Sequence, residues 1–202
     1  NGKFIKNLYY KPNEIITLSG LHTFYLPKLR KLLNLRVFLN TDNKLRKYWK
    51  IKRDTIERGY QIEAVIESFN KRELDSIKYI QPQMKYSNFI INYFVDDNFE
   101  EDKINTIPII KLKLEIDSNI NTEILCTFLS QNNISYTWDY SENLETQYFH
   151  FNQEPFLDYK SLSNDLILNL DELISQEIQW QKGYRGIIQL FILLIVRDYK
   201  IL

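Results

Sequence analysis

The sequence predicts an α/β fold: a parallel sheet with helices, followed by a small α+β C-terminal module. Two patterns predict it. Short apolar runs of strand length, IITL at 15–18, RVFL at 36–39 and FIINYF at 89–94, alternate with stretches of helical spacing. Strand, helix, strand, helix pair, strand is the grammar of a parallel sheet. After the acidic, proline-ended stretch 95–108 the pattern changes to strict alternation in IIKLKLEID, then to the paired runs ISYTWDY and TQYFHF. That reads as half-exposed strands and a hairpin. The expected division is an α/β part at 1–98, a linker at 99–108 and an α+β module at 109–202.

In chain order, residues 1–14 read as a loop with a short strand, and 15–18 as a buried strand bounded by Ser19 and Gly20. TFYLPKLRKLLN has apolar residues at helical spacing, with Pro27 in the first turn, where its missing N–H costs nothing. Thr41 and Asp42 are N-cap candidates for a helix over 44–60, KLRKYWKIKRDTIERGY, because their side-chain oxygens can accept the first free N–H groups. Gly59 suits its C-terminal turn, where a positive φ is cheap. Ile62, Val65, Ile66 and Phe69 predict a second helix, and Pro82 in YIQPQ breaks the regularity that follows. Helices are expected at 121–131 and at 158–175, the latter with Leu162, Leu166, Leu170, Leu173 and Ile174 inward. The apolar run of GIIQLFILLIVRDY spans about ten residues, too short for a bilayer and suited to a core helix.

The chain has 202 residues and a formal net charge of zero, so no whole-chain attraction to nucleic acid or acidic membrane is expected. The lone Cys126 excludes an intrachain disulfide, fits a reducing, cytoplasmic setting and reads as a buried, inert thiol. His22 and His150 stand far apart and give no zinc spacing. Residue 1 is Asn and the single methionine is Met84, so we expect a processed product or a piece of a longer protein.

The helix over 44–60 organises the reading. At about 100° per residue, Leu45, Trp49, Ile56 and Tyr60 share one side, while Arg46, Lys50, Arg53, Asp54 and Glu57 share another with Arg58 at its edge. The charged side is either a solvated face with i,i+4 pairs or an anion grip, in which arginines fork onto phosphate oxygens and Lys50 adds a compact charge. No G-x-x-x-x-G-K-[ST] or G-x-G-x-x-G occurs. SGLH at 19–22 lacks the glycine a nucleophile elbow needs before Ser19, and His22 reads equally as a base, a phosphate contact or a structural histidine. Gly183 and Gly186 open an apolar helix and read as packing or capping residues.

Residues 12–91 resemble the phosphoribulokinase/uridine kinase family. The resemblance rests on NEIITLSGLHTFYL, the K-x-x-R-D-x-x-x-R-G helix end, KRELD and YIQPQ, which follow the family's order and spacing. It implies a partial P-loop-kinase-like sheet and transfer of the ATP γ-phosphoryl group to a sugar or nucleoside hydroxyl, with ATP and magnesium as cofactors. By motif, Lys50, Arg53 and Arg58 match phosphate-binding positions, and His22 matches the histidine on the substrate side. The family's P-loop, its following helix and its catalytic aspartate are expected upstream of residue 1. Ser19 stands where the Walker B-like acid is expected, so no metal ligand is assigned here. Asn34, Asn40 and Asn88 replace aspartates common in the family pattern.

The resemblance leaves two forms of one reading. The chain is part of a sugar or nucleoside kinase that is inactive alone and works with a P-loop half, or it is a degenerate, non-catalytic pseudokinase. The competing class is an oligomerisation or scaffolding module. Expected partners are a phosphorylated small molecule or nucleotide, and an N-terminal P-loop half or a second copy paired through an exposed sheet edge. Nucleic acid and membrane are not expected.

Overall fold

The structure, a computed structural model, describes residues 16–166 and 178–199. The expected loop over 1–14, the start of the 15–18 strand, and Leu170, Leu173 and Ile174 lie outside the described residues. The elements are α1 (Pro27–Arg30), β1 (Val37–Thr41), α2 (Asn43–Ile56), α3 (Ile62–Asp75), β2 (Phe89–Phe94), β3 (Lys111–Asp117), α4 (Glu123–Gln131), β4 (Thr137–Tyr140), β5 (Thr146–Phe151), α5 (Tyr159–Leu166) and α6 (Gly183–Asp198). A π-helical turn at Ser76–Ile80 and a 3-10 turn at Gln81–Tyr86 join α3 to β2, where Pro82 breaks the helix.

The fold is α/β with one five-stranded mixed sheet, ordered β1-β2-β3-β5-β4. β1 and β2 are parallel, from Val37 beside Phe89 to Thr41 beside Tyr93. The crossover between them carries α2 and α3, as a parallel pair requires. β3 returns antiparallel to β2, Phe89 beside Ile116 and Phe94 beside Lys111. The connection over 95–110 holds no helix, so it reverses the chain rather than crossing it over. One sheet therefore runs through both expected parts of the chain. β4 and β5 form the expected hairpin, with Trp138 beside Phe149.

The alternation in 111–117 decides which face of the sheet is buried. Leu112, Leu114 and Ile116 are buried, alongside Phe89, Ile91, Phe149 and Phe151. α6 lies on this face through Ile187, Leu190, Phe191, Leu194 and Ile195. Its Phe191 ring stacks on Phe89 at 6.2 Å and meets Phe149 edge-on at 4.9 Å. α6 has 16 residues, and no helix among the described residues is long and apolar enough to cross a membrane. On the opposite face Asn40 donates to Asn92 at 2.7 Å, Asn92 to Glu115 at 2.9 Å, and Lys113 pairs with Glu115 at 3.1 Å.

Four local expectations change. Residues 16–18 form no strand, and Ile16 and Leu18 are 66% and 51% exposed; among the described residues nothing pairs with their backbone. The helix read from TFYLPKLRKLLN is one turn, α1, with Pro27 at its start as expected. Leu39 is 63% exposed, because β1 is the edge strand and the helices cover β2, β3 and β5. Cys126 is half-buried rather than buried, since α4 turns Leu125 and Leu129 to the core.

Candidate anion-binding site

α2 starts as its sequence predicts. The Asp42 carboxylate accepts from Lys44 N at 2.6 Å and Leu45 N at 3.2 Å, an N-cap that satisfies two free donors. The helix then buries a different stripe from the one expected. Leu45, Tyr48, Ile51 and Asp54 are buried, while Trp49, Ile56 and Tyr60 are 41%, 63% and 59% exposed. The reason lies in the packing partner. Leu45 and Tyr48 sit in a satellite core with Val95, Tyr93, Phe99 and Ile110, at the C-terminal end of β2 and the segment behind it. Tyr48 also donates to the Thr106 carbonyl at 2.6 Å, and Lys47 pairs with Glu101 and Asp102, both at 3.2 Å. These contacts, and not the apolar residues of the helix alone, decide which stripe is buried.

Spacing along the helix brings together the cations of the charged face, Lys50 four residues before Asp54 and Arg58 four after it. Lys50 Nζ lies 2.9 Å from Asp54 Oδ2, Arg53 Nε 2.8 Å from Asp54 Oδ1, and Arg58 Nη1 3.1 Å from the same Oδ1. The Asp54 side chain is 5% exposed, covered by the cations themselves, while Arg53 and Arg58 are 47% and 54% exposed. Hydrogen bonds from Arg53 and then Lys50, against a smaller opposing effect of burial, hold the Asp54 carboxyl well below the usual carboxylate range. It is ionised at any working pH. Gly59, at φ +70°, makes the left-handed turn that follows the helix. Through that turn Tyr60 N reaches back to the Asp54 carbonyl at 3.0 Å, fixing where Arg58 leaves the helix.

The arrangement decides what the cluster can do. Three cations meet the one buried carboxylate, with Glu57 near Arg53 as a second acid, so the cluster keeps a net positive charge. Arg53 uses only Nε on Asp54. Its two terminal amino groups, and one on Arg58, have no partner among the described residues. Those are the groups that fork onto phosphate oxygens.

Lys50, Arg53 and Arg58 are thus brought together, but Ser19 and His22 are not part of the cluster. Both are exposed on the 16–26 segment, where the His22 ring meets Tyr25 edge-on at 5.9 Å. Among the described residues no group of three or more His, Cys, Asp or Glu side chains could hold a metal. An exposed serine hydroxyl supplies no charge for magnesium. The donor set fits phosphate and does not fit the metal.

Sequence reasoning missed two residues. Asp54 is the shared acceptor, and its signal was an acid with Lys four residues before it and Arg four after it. Gln83, the second glutamine of YIQPQ, is buried; it accepts from Phe24 N at 2.8 Å and donates to the carbonyls of Leu21 and Tyr79 at 2.9 and 2.7 Å. It pins the SGLH turn to the irregular helix before β2.

Comparison with known proteins finds relatives of this region. Residues 4–99 match the model of the "Phosphoribulokinase / Uridine kinase family". The match takes in just under half of this chain, and over it residues 4–99 are similar to that family. Among similar proteins, phosphoribulokinase of Synechocystis is 36% identical over 81 residues, 40% of this chain and 24% of that protein. Uridine kinase-like protein 5 of Arabidopsis thaliana is 41% identical over 81 residues, again 40% of this chain and 17% of that protein. The chain therefore aligns with a quarter or less of these relatives' length. A phosphoribulokinase from Rhodobacter spheroides superposes with a TM-score of 0.48 at 18% identity, covering 85% of this chain and 52% of that one. The family segment contains β1, α2, α3 and β2, and with them the Asp54 cluster.

Proposed function

We propose that this chain is part of an ATP-dependent kinase that phosphorylates a hydroxyl of a sugar or nucleoside, and that it is not active alone. In this reading Lys50, Arg53 and Arg58 bind phosphate of the nucleotide or of a sugar phosphate, and Asp54 holds them ready. The observation that carries it is the clasp on Asp54: three cations pre-positioned by one buried carboxylate, with arginine N–H groups to spare. Phosphoryl transfer depends chiefly on positioning and on neutralising charge on the transferring oxygens. The cluster supplies that charge. ATP supplies the phosphoryl group; the cradle for its β- and γ-phosphates, the catalytic base and a metal-binding acid have to come from residues other than those assigned here. Residues 1–98 then act as the kinase portion, 99–108 as the joining segment and 109–202 as an α+β extension of its sheet, with a P-loop half or a second copy as partner.

The test is titration calorimetry of the chain with magnesium-ATP and with ribose 5-phosphate, beside a coupled kinase assay. We expect weak phosphate-dependent binding that is lost in Arg53→Ala and Arg58→Ala, and no turnover. Binding unchanged in both variants would remove the clasp from the reading, and turnover by the chain alone would overturn its inactivity. Ser19 supports a second form, a non-catalytic pseudokinase, because an exposed hydroxyl replaces the expected acid. Ser19→Glu assayed with a P-loop half present separates the two: rising turnover supports the kinase, and an unchanged zero rate the pseudokinase.

A further inference from the structure

A second group of cations lies apart from α2 and has no carboxylate among its described partners. Arg30, Lys31, Arg36 and Lys85, with Tyr86 and Ser87, line a cavity of about 380 Å³. Arg30 lies over the Tyr86 ring at 3.6 Å from its centre and donates to the Phe24 carbonyl at 3.2 Å. Lys85 Nζ lies 5.1 Å from the same ring. Lys85, and after it Arg30, pull the Tyr86 phenol below its ordinary value, the mark of a positive local field.

Two polar atoms here stand out. Arg36 Nε and Ser87 Oγ are buried and have no hydrogen-bond partner among the described residues. A buried donor left unpaired is costly, so the fold holds these two side chains here at the expense of stability, as binding sites do. The Arg36 backbone, by contrast, is fully engaged: its N–H donates to Asn88 Oδ1 at 3.1 Å, and its carbonyl accepts from Asn88 N and Phe89 N at 2.9 and 3.2 Å. The side chain thus leaves a fixed backbone with its Nε donor unspent. Arg36 directly precedes β1 and Ser87 stands two residues before β2. Both lie at the N-terminal ends of the parallel strands. α2 springs from the other end, where ligands that react in open α/β sheets bind.

We propose that Arg36 and Ser87, ringed by Arg30, Lys31 and Lys85, form a second binding site, for the phosphate group of a small molecule. Four cations suit a dianion, the terminal amino groups of Arg36 are free of other described partners, and the Tyr86 ring walls one side. Its place at the far ends of the strands fits an effector rather than a reacting substrate. The inference stands without the clasp on Asp54, and the test keeps the two apart.

Inorganic phosphate is titrated into the full chain carrying Arg53→Ala and Arg58→Ala, followed by phosphorus NMR line broadening at constant ionic strength in chloride. Phosphate binding should persist in that background and weaken about tenfold or more when Arg36→Gln is added. Lys85→Gln, at an exposed position, should weaken it several-fold without disturbing the fold, and serves if Arg36→Gln does not fold. Absence of binding in the Arg53/Arg58 background overturns the site, as does binding unaffected by Arg36→Gln or Lys85→Gln. Displacement of phosphate by equimolar nitrate would also overturn it, since that marks an unselective cationic surface.

Discussion

Replacing Asp54 by asparagine tests the clasp directly. The side chain keeps its shape and can still accept hydrogen bonds, but the charge that gathers Lys50, Arg53 and Arg58 is gone. Removing one partner of a fully buried ion pair costs roughly 3–5 kcal/mol. Here Arg53 and Arg58 are about half exposed and rehydrate when released, so we expect about 2 kcal/mol. For a chain of this size that lowers Tm by roughly 4–8 °C. The pH dependence has a definite sign. The folded carboxyl titrates well below its unfolded value of about 3.9. Its contribution is therefore full above that unfolded value and is lost as pH falls below it towards the folded one. Urea unfolding followed by tryptophan fluorescence, with Trp49 on the same helix as one reporter, should show a constant gap between wild type and Asp54→Asn from pH 5 to 7. The gap should narrow below about pH 4. A gap under about 0.5 kcal/mol, the size of an ordinary surface substitution, or one that does not change below pH 4, would refute the claim that Asp54 is a charge-holding centre.

Phe191→Ala removes a ring packed between Phe89 and Phe149 and should cost about 3–5 kcal/mol by denaturant titration. Gly186→Ala should cost about 1–3 kcal/mol, because an added Cβ would lie 2.3 Å from the Tyr159 ring and 2.5 Å from the Gln181 carbonyl; an unchanged midpoint would show that α6 can shift. Burial raises the Cys126 thiol above its ordinary value, so its reaction with a disulfide reagent at pH 7 should be slow and accelerate sharply in urea. Proteolytic cutting within 99–108 should leave the two fragments associated, held by the β2–β3 pairing and the α6 packing, and co-eluting on gel filtration.

The legible parts were those where one physical rule acted alone. The alternation in 109–117 set the buried face of β3, and Asp42 announced the N-cap of α2. The hairpin and the apolar last helix followed from their patterns. The α2 stripe did not, because two stripes were nearly equivalent on the helical wheel. The choice fell to Val95, Phe99 and Ile110, which lie far along the chain. The three candidate cations were identified from their motif, but the acid that gathers them was read as one more charge on the same face. Long-range accounting also hid Gln83 and Arg36. Whether a polar side chain finds its partners depends on segments that meet only in the fold.

The stacking of Phe191 on Phe89 ties the last described helix to a strand of the family segment. Free energy put into one is thereby felt in the other. A ligand that binds only the folded state around α2 stabilises every element that unfolds with β2, and α6 is among them. Slowed amide exchange in 183–198 would then report phosphate bound by residues more than a hundred positions earlier, with no movement of either helix.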